Sequence, residues 1–261
     1  MKKTRIMALI LALALMVCAF AACGGNNDAD NTIVMGTQIG FEPFEYLGDD
    51  AQPAGFDIDL SYMIADKVGK TLEIEDMDFN GLLGALQSGK IDFSAAGMSV
   101  TEERKLSVDF SDPYYTSRQV IVVPIGSEIA AKEDLLGKIV AAQEGTTGAD
   151  MVREFKEDEN GEPQSNTVTF KLNADVAMEV INGRADAFVL DEEPAKAIVA
   201  KNADKLRVLD VEFGTEEYAI PVKKGNTELL NAINEVIADM KADGTYDEMI
   251  AKYFPDRAVA E

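Results

Sequence analysis

Leu82-Leu83-Gly84-Ala85-Leu86-Gln87-Ser88-Gly89-Lys90-Ile91-Asp92-Phe93 and Val176-Ala177-Met178-Glu179-Val180-Ile181-Asn182-Gly183-Arg184-Ala185-Asp186-Ala187 share one shape. Each reads as a helix, a glycine stop and a strand. Gly, a basic residue, an apolar residue and Asp follow in the same order. Glycine takes the left-handed conformation that ends a helix without a Cβ penalty. One helix-glycine-strand unit is common and says little. Two of them, one in each half, predict two similar α/β lobes.

The flanking sequence has the same alternation. Residues 32–36, 91–95 and 138–142 read as strands. Leu60, Met63, Ile64 and Val68 fall on one helical face that Gly69 would stop, and residues 149–155 read as a second helix. Strands alternating with helices predict an α/β protein with mainly parallel sheets. Residues 119–124 and 218–222 are extended and β-rich, and would cross between the lobes as a hinge. That places lobe 1 at residues 32–119 plus 220–261 and lobe 2 at 120–219. Residues 228–253 read as helical. Their stripe of Leu229, Ile233, Val236, Ile237 and Met240 suits a core, and Gly244 breaks the run.

Composition narrows the function. The chain has 24 basic and 47 acidic residues, a net charge of −23, which argues against nucleic acid and anionic membrane surfaces as main partners. It has no histidine, so imidazole catalysis and imidazole metal sites are excluded. Both cysteines, Cys18 and Cys23, precede the body, which therefore has no thiol nucleophile, disulfide or thiolate zinc site. Asp49, Asp50, Asp57 and Asp59 lack the glycine and glutamate spacing of a calcium loop. No metal or cofactor is expected, and carboxylate, Lys, Tyr, Ser or Thr chemistry is what composition leaves open.

The amino terminus reads as an address. Lys2, Lys3 and Arg5 precede an uncharged run of 17 residues, from Ile6 to Ala22. Small Ala21 and Ala22 stand before Cys23, as in a secretory signal with its cut site. Phe20-Ala21-Ala22-Cys23 resembles the bacterial lipoprotein box, with Phe where Leu is usual. The resemblance implies a signal peptide over 1–22, lipidation of Cys23 and a flexible tether over 23–31. Cleavage there would remove three positive charges and take the net charge from −23 to −26.

Ligands of open α/β sheets bind beyond the carboxyl ends of strands. Gly97, Ser99 and Arg104 follow the first repeated strand, while Leu190-Asp191 ends the second. One lobe would then offer a hydroxyl and a cation and the other a carboxylate, a match for a small zwitterion. Gln143-Glu144-Gly145-Thr146-Thr147-Gly148 joins a strand to a helix, and helix N–H groups favour an anion. The glutamates of 154–159 read as a charged helix face only.

These stretches resemble one family, the polar amino-acid solute-binding proteins of bacterial ABC importers. The resemblance extends through Gly36-Thr37, Phe41-Glu42-Pro43-Phe44-Glu45-Tyr46, Gly55-Phe56-Asp57-Ile58-Asp59-Leu60, Gly97-Met98-Ser99-Val100-Thr101-Glu102-Glu103-Arg104, Asp109-Phe110-Ser111-Asp112-Pro113-Tyr114-Tyr115 and Lys241-Ala242-Asp243-Gly244-Thr245. It implies a periplasmic-binding-protein type II fold and no catalysis. By position, Arg104 and the Thr147 N–H would hold the ligand carboxylate. Asp191, the Ser99 hydroxyl and the Gly97 carbonyl would take its ammonium, between Phe41 and Phe79. Gln38 and Gln143 would line the side-chain end and favour a polar, uncharged side chain, with Glu42 and Glu144 as possible sources of charge. The implied partners are an amino acid, a membrane permease and, through Cys23, a lipid anchor, for a monomer outside the cytoplasm. Two rival classes remain: a dehydratase of the same fold using Glu144 or Glu192 as acid, and a sensor for a membrane signalling partner.

Overall fold

The computed structural model describes residues 31–154 and 166–257; the leader, Cys23, the tether through Asp30 and residues 155–159 of the acidic run lie outside them. The described residues from Ile33 onward belong to one compact unit. Its first half runs β1 (Thr32–Thr37), β2 (Tyr46–Leu47), β3 (Pro53–Ala54), α1 (Phe56–Lys67), β4 (Thr71–Asp76), α2 (Leu82–Ser88), β5 (Phe93–Ser94), α3 (Glu102–Lys105), β6 (Val108–Phe110) and β7 (Tyr115–Pro124). The second half runs β8 (Ile139–Gln143), α4 (Thr147–Glu154), β9 (Asn166–Phe170), α5 (Asn173–Ile181), β10 (Ala187–Asp191), α6 (Glu192–Ala200), β11 (Leu206–Tyr218), β12 (Pro221–Lys223), α7 (Thr227–Asp243) and α8 (Thr245–Tyr253).

Two five-stranded sheets result, ordered β4-β1-β5-β12-β6 and β11-β7-β10-β8-β9. They are mixed. The pairs β1–β5, β10–β8 and β8–β9 are parallel, whereas β12 and β7 run antiparallel to their neighbours. The antiparallel strands are those by which the chain passes between sheets, after β6 and after β11. Tyr115 to Gln119, assigned to lobe 1 from sequence, pair with β11 in the second sheet, Tyr115 opposite Tyr218 and Gln119 opposite Gly214.

The repeated sequence has one structural cause. Asp92 accepts a hydrogen bond at Oδ2 from the Val34 N–H of β1 (2.8 Å), and its own N–H returns one to the Val34 carbonyl (2.8 Å). Asp186 does the same with Ile139 at the start of β8, again at 2.8 Å in both directions. Each Asp therefore registers a parallel neighbour. Gly89 and Gly183, at φ 75° and 69°, turn the chain off its helix toward that clamp. Counting onward shows what the clamp positions. Gln38 lies four residues past Val34, and Gln143 four past Ile139; Gly97 lies five past Asp92, and Asp191 five past Asp186. Four strand ends, two per sheet, thus deliver equivalent positions to one place.

Helix packing behind the first sheet follows the apolar stripes. Leu60 and Ile64 of α1 and Leu229, Ile233, Val236, Ile237 and Met240 of α7 are buried with Met35 and Phe93, and Met63 and Val68 pack at the edge. Gly244, left-handed at φ 90°, separates α7 from α8. Replacing Asp92 or Asp186 by Ala should remove about 1–3 kcal/mol of stability each, by loss of a charged hydrogen bond on a backbone N–H. Urea denaturation of both variants checks this, and unchanged midpoints would show the clamps to be passive.

Candidate ligand-binding cleft

Gln38, Phe41, Phe79, Gly97, Ser99, Arg104, Gln143, Thr147 and Asp191 all line one cleft. The enclosed space between the walls is about 100 Å³, and the open mouth brings the total to about 720 Å³. Glu45, Gln119, Thr146 and Asn173 line it as well.

Arg104 is held by α3. Thr101 caps that helix, its Oγ1 accepting from the Arg104 N–H at 3.1 Å. The guanidinium is 9 % exposed and stands 5.5 Å above the Phe79 ring. Nη1 donates to the Ser99 carbonyl (2.6 Å) and Nη2 to the Gly145 carbonyl of the second half (3.0 Å). Burial lowers its pKa, an effect opposed by Glu216 and other acids, yet a guanidinium stays charged. No ion pair among the described residues includes Arg104. Its anchors are neutral carbonyls, and a guanidinium has five donors.

Asp191 ends β10. Its Oδ2 accepts from Gln119 Nε2 (2.8 Å) and its Oδ1 from the Tyr218 hydroxyl. Burial first, then the nearby Glu216, push its carboxyl up to about 7. Glu216 accepts at Oε2 from the Ser99 hydroxyl (2.8 Å) and from Gln119 (3.0 Å). With its O–H donating to Glu216, the Ser99 oxygen keeps lone pairs that can accept from a donor.

Gly97 is the tight point of the wall. Its φ is +53°, and a Cβ there would sit 2.5 Å from Phe41 Cε1. Its N–H donates to Asp57 Oδ2 at 2.9 Å, and the Tyr114 hydroxyl donates to the same oxygen at 2.8 Å. Burial pushes the Asp57 carboxyl up to about 6. At the facing helix start, Thr146 Oγ1 accepts from the Ala149 N–H (3.2 Å) and donates to the Gln143 carbonyl (2.8 Å), setting Thr147 at the first turn of α4.

At the far end Gln143 Nε2 donates to Gln38 Oε1 and to the Lys171 carbonyl (2.9 Å), joining the two sheets. The two glutamates named as sources of charge lie elsewhere. Glu42 pairs with Lys201, and Glu144 lines a separate groove with Asp78 and Lys171. Glu192 and Glu193, which as an acidic run suggest a solvated face, are buried instead. Arg118 grips Glu192 through Nε (2.7 Å) and Nη2 (2.6 Å) and, as the largest cause, holds its carboxyl at about 2.

Sequence reasoning placed Gln119 and Tyr218 only in the crossing strands and assigned none of Glu45, Gln119, Asn173, Glu216 or Tyr218 to the site. Glu45 is 1 % exposed, and burial, then Asp57 and Asp191, raise its carboxyl well above the ordinary range. Its one signal is a place in the Phe-Glu-Pro-Phe-Glu-Tyr stretch. The others stand singly in strands or at a helix start, without spacing to mark them.

Two α/β halves meeting at a cleft with a buried guanidinium on one wall and a buried carboxylate on the other define a two-lobed solute-binding protein. The sequence profile of the bacterial extracellular solute-binding proteins, family 3, matches residues 33–256, and the chain belongs to that family. It is 33 % identical over 257 residues to the arginine-binding extracellular protein ArtP of Bacillus subtilis (strain 168), covering 94 % of this chain and 96 % of the relative. Its fold matches an ancestral arginine-binding protein bound to arginine with a TM-score of 0.81 at 42 % identity, over 86 % of this chain and 98 % of the other. It also matches AncCDT-1, an ancestral amino-acid-binding protein and precursor of cyclohexadienyl dehydratase, with a TM-score of 0.79 at 39 % identity, over 87 % and 97 %.

The raised carboxyls make a pH prediction. Asp57, Asp191 and Glu45 bind protons more tightly folded than unfolded. The stabilisation from Asp57 and Asp191 is fully present below about pH 4 and is lost as pH rises through about 6 to 7, and Glu45 acts in the same direction. Glu192, with a lowered carboxyl, acts oppositely but below that window. The ligand-free protein should therefore melt at a higher temperature near pH 5.5 than near pH 8; calorimetry showing the reverse would mean these acids ionise without penalty.

Proposed function

We propose that this chain captures a free L-amino acid with a polar, uncharged side chain and hands it to the permease of an ABC importer. One observation supports this above the others: Arg104 and Asp191 are buried in one cleft, each held by neutral partners and neither paired with the other. A guanidinium and the α4 start suit an α-carboxylate. Asp191, Ser99 and the Gly97 carbonyl suit the adjacent ammonium, and Phe41 and Phe79 exclude water. A zwitterion satisfies both ends at once, and charge-assisted hydrogen bonds are worth roughly 1.5–3 kcal/mol each.

Contacts made with both walls favour the closed form, so ligand shifts the population toward it and the permease reads that shape. Removal of residues 1–22 and lipidation of Cys23 would hold the body beside the membrane on its tether, outside the cytoplasm. The protein binds without turnover. The acids named for a dehydratase are poorly placed: Glu144 lies outside the cleft and Glu192 is held ionised by Arg118. Arginine in the names of ArtP and of the ancestral protein describes those proteins; here the neutral pair Gln38 and Gln143 supports an uncharged side chain.

Arg104→Ala should reduce amino-acid affinity at least ~100-fold, the scale of two charged hydrogen bonds, while the chain still folds. Calorimetry with the amino acid that gives the largest thermal shift among the twenty checks this, and unchanged affinity would sink the assignment. Cys23→Ser should move the protein from the membrane to the soluble fraction on cell fractionation; retention in the membrane fraction would refute the anchor.

A further inference from the structure

We propose that Asn173 is a specificity-determining residue that selects amino acids whose side chain carries an N–H donor, an amide before all others. This rests on the amino-acid-binding reading above and goes on to name the side-chain chemistry. The Lys171 carbonyl accepts from Gln143 Nε2 at 2.9 Å and from Gln38 Nε2 at 3.3 Å. A carbonyl only accepts, so it sets which end of each amide faces it. Gln143 is then left with Oε1, which accepts from Asn173 Nδ2 at 2.8 Å. The orientation of Asn173 follows from one backbone carbonyl through two amides, and its Oδ1 is turned away from Gln143.

That oxygen is buried and has no hydrogen-bond partner among the described residues, in a side chain that is 7 % exposed and lines the cleft. Leaving a buried acceptor unmet is costly, and a ligand N–H meets it. A ligand carboxylate would set acceptor against acceptor, and a hydrocarbon would leave the oxygen as it is. Nearby charge is compensated. Asp78 pairs with Lys171 at 2.5 Å and Glu42 with Lys201, which favours a neutral amide.

The test is calorimetry of the full chain and of Asn173→Leu, close in volume, with Asn173→Ala as a second variant should the first fail to fold. The ligands are glutamine, asparagine, arginine, glutamate, methionine and alanine. The tightest ligand is expected to be glutamine or asparagine, exceeding arginine, glutamate and methionine by about tenfold or more. Either variant should lose about tenfold for that ligand and leave alanine, which has only the head group, unchanged. Tightest binding of arginine, glutamate or methionine, or an undiminished preference in the variant, would overturn the assignment of Asn173. Binding of none of the six, nor of any other of the twenty, would remove the amino-acid reading itself, and the selectivity with it.

Discussion

Two opposite charges buried in one cleft and kept apart constrain everything else in this molecule. Removing a lone guanidinium or carboxylate from water is expensive unless something replaces the lost hydration. Arg104 replaces it with two backbone carbonyls, and Asp191 with Gln119 and Tyr218. These partners orient the charges without neutralising them. The cleft is otherwise acidic, since Glu45 lines it and Glu216 stands behind Ser99 and Gln119. A ligand with a carboxylate at one end and an ammonium beside it meets both walls, and a simple anion or cation meets only one.

Under the proposed function, the same geometry would make closure depend on cargo. Several contacts join the two halves directly: Arg104 to Gly145, Ser99 to Glu216, Gln38 to Gln143, and the ion pairs Glu42–Lys201 and Asp78–Lys171. The outer two ion pairs are largely exposed, and such pairs contribute about 0–1 kcal/mol. They can register the halves but do not compel them to meet. Only a group that neutralises both buried charges makes a large difference between open and closed, and differential affinity is what shifts such an equilibrium.

The sequence repeat proved to be a structural device as well as a sign of two halves. Its Asp registers each parallel strand pair, and the residues four and five positions onward arrive together at the cleft. That is why Gln38, Gly97, Gln143 and Asp191, four of the nine residues picked from motifs and strand ends, line one surface. Their roles toward a ligand are part of the proposal. Glu192 shows where local reading fails. An acidic run looks solvated in sequence, yet Arg118, 74 positions away, folds back on it and makes burial tolerable.

The sequence by itself determined the α/β alternation, the helix stops and the amino-acid types available for chemistry, because these depend on periodicity, glycine conformation and composition, all local properties. Only the tertiary structure decided which strands run antiparallel, that Glu45, Gln119, Glu216 and Tyr218 surround the charged site, and how the amides of Gln38, Gln143 and Asn173 are oriented. Those properties arise from residues far apart in the chain competing for the same hydrogen bonds in a space that water has left, and nothing in the spacing of any one segment records the outcome.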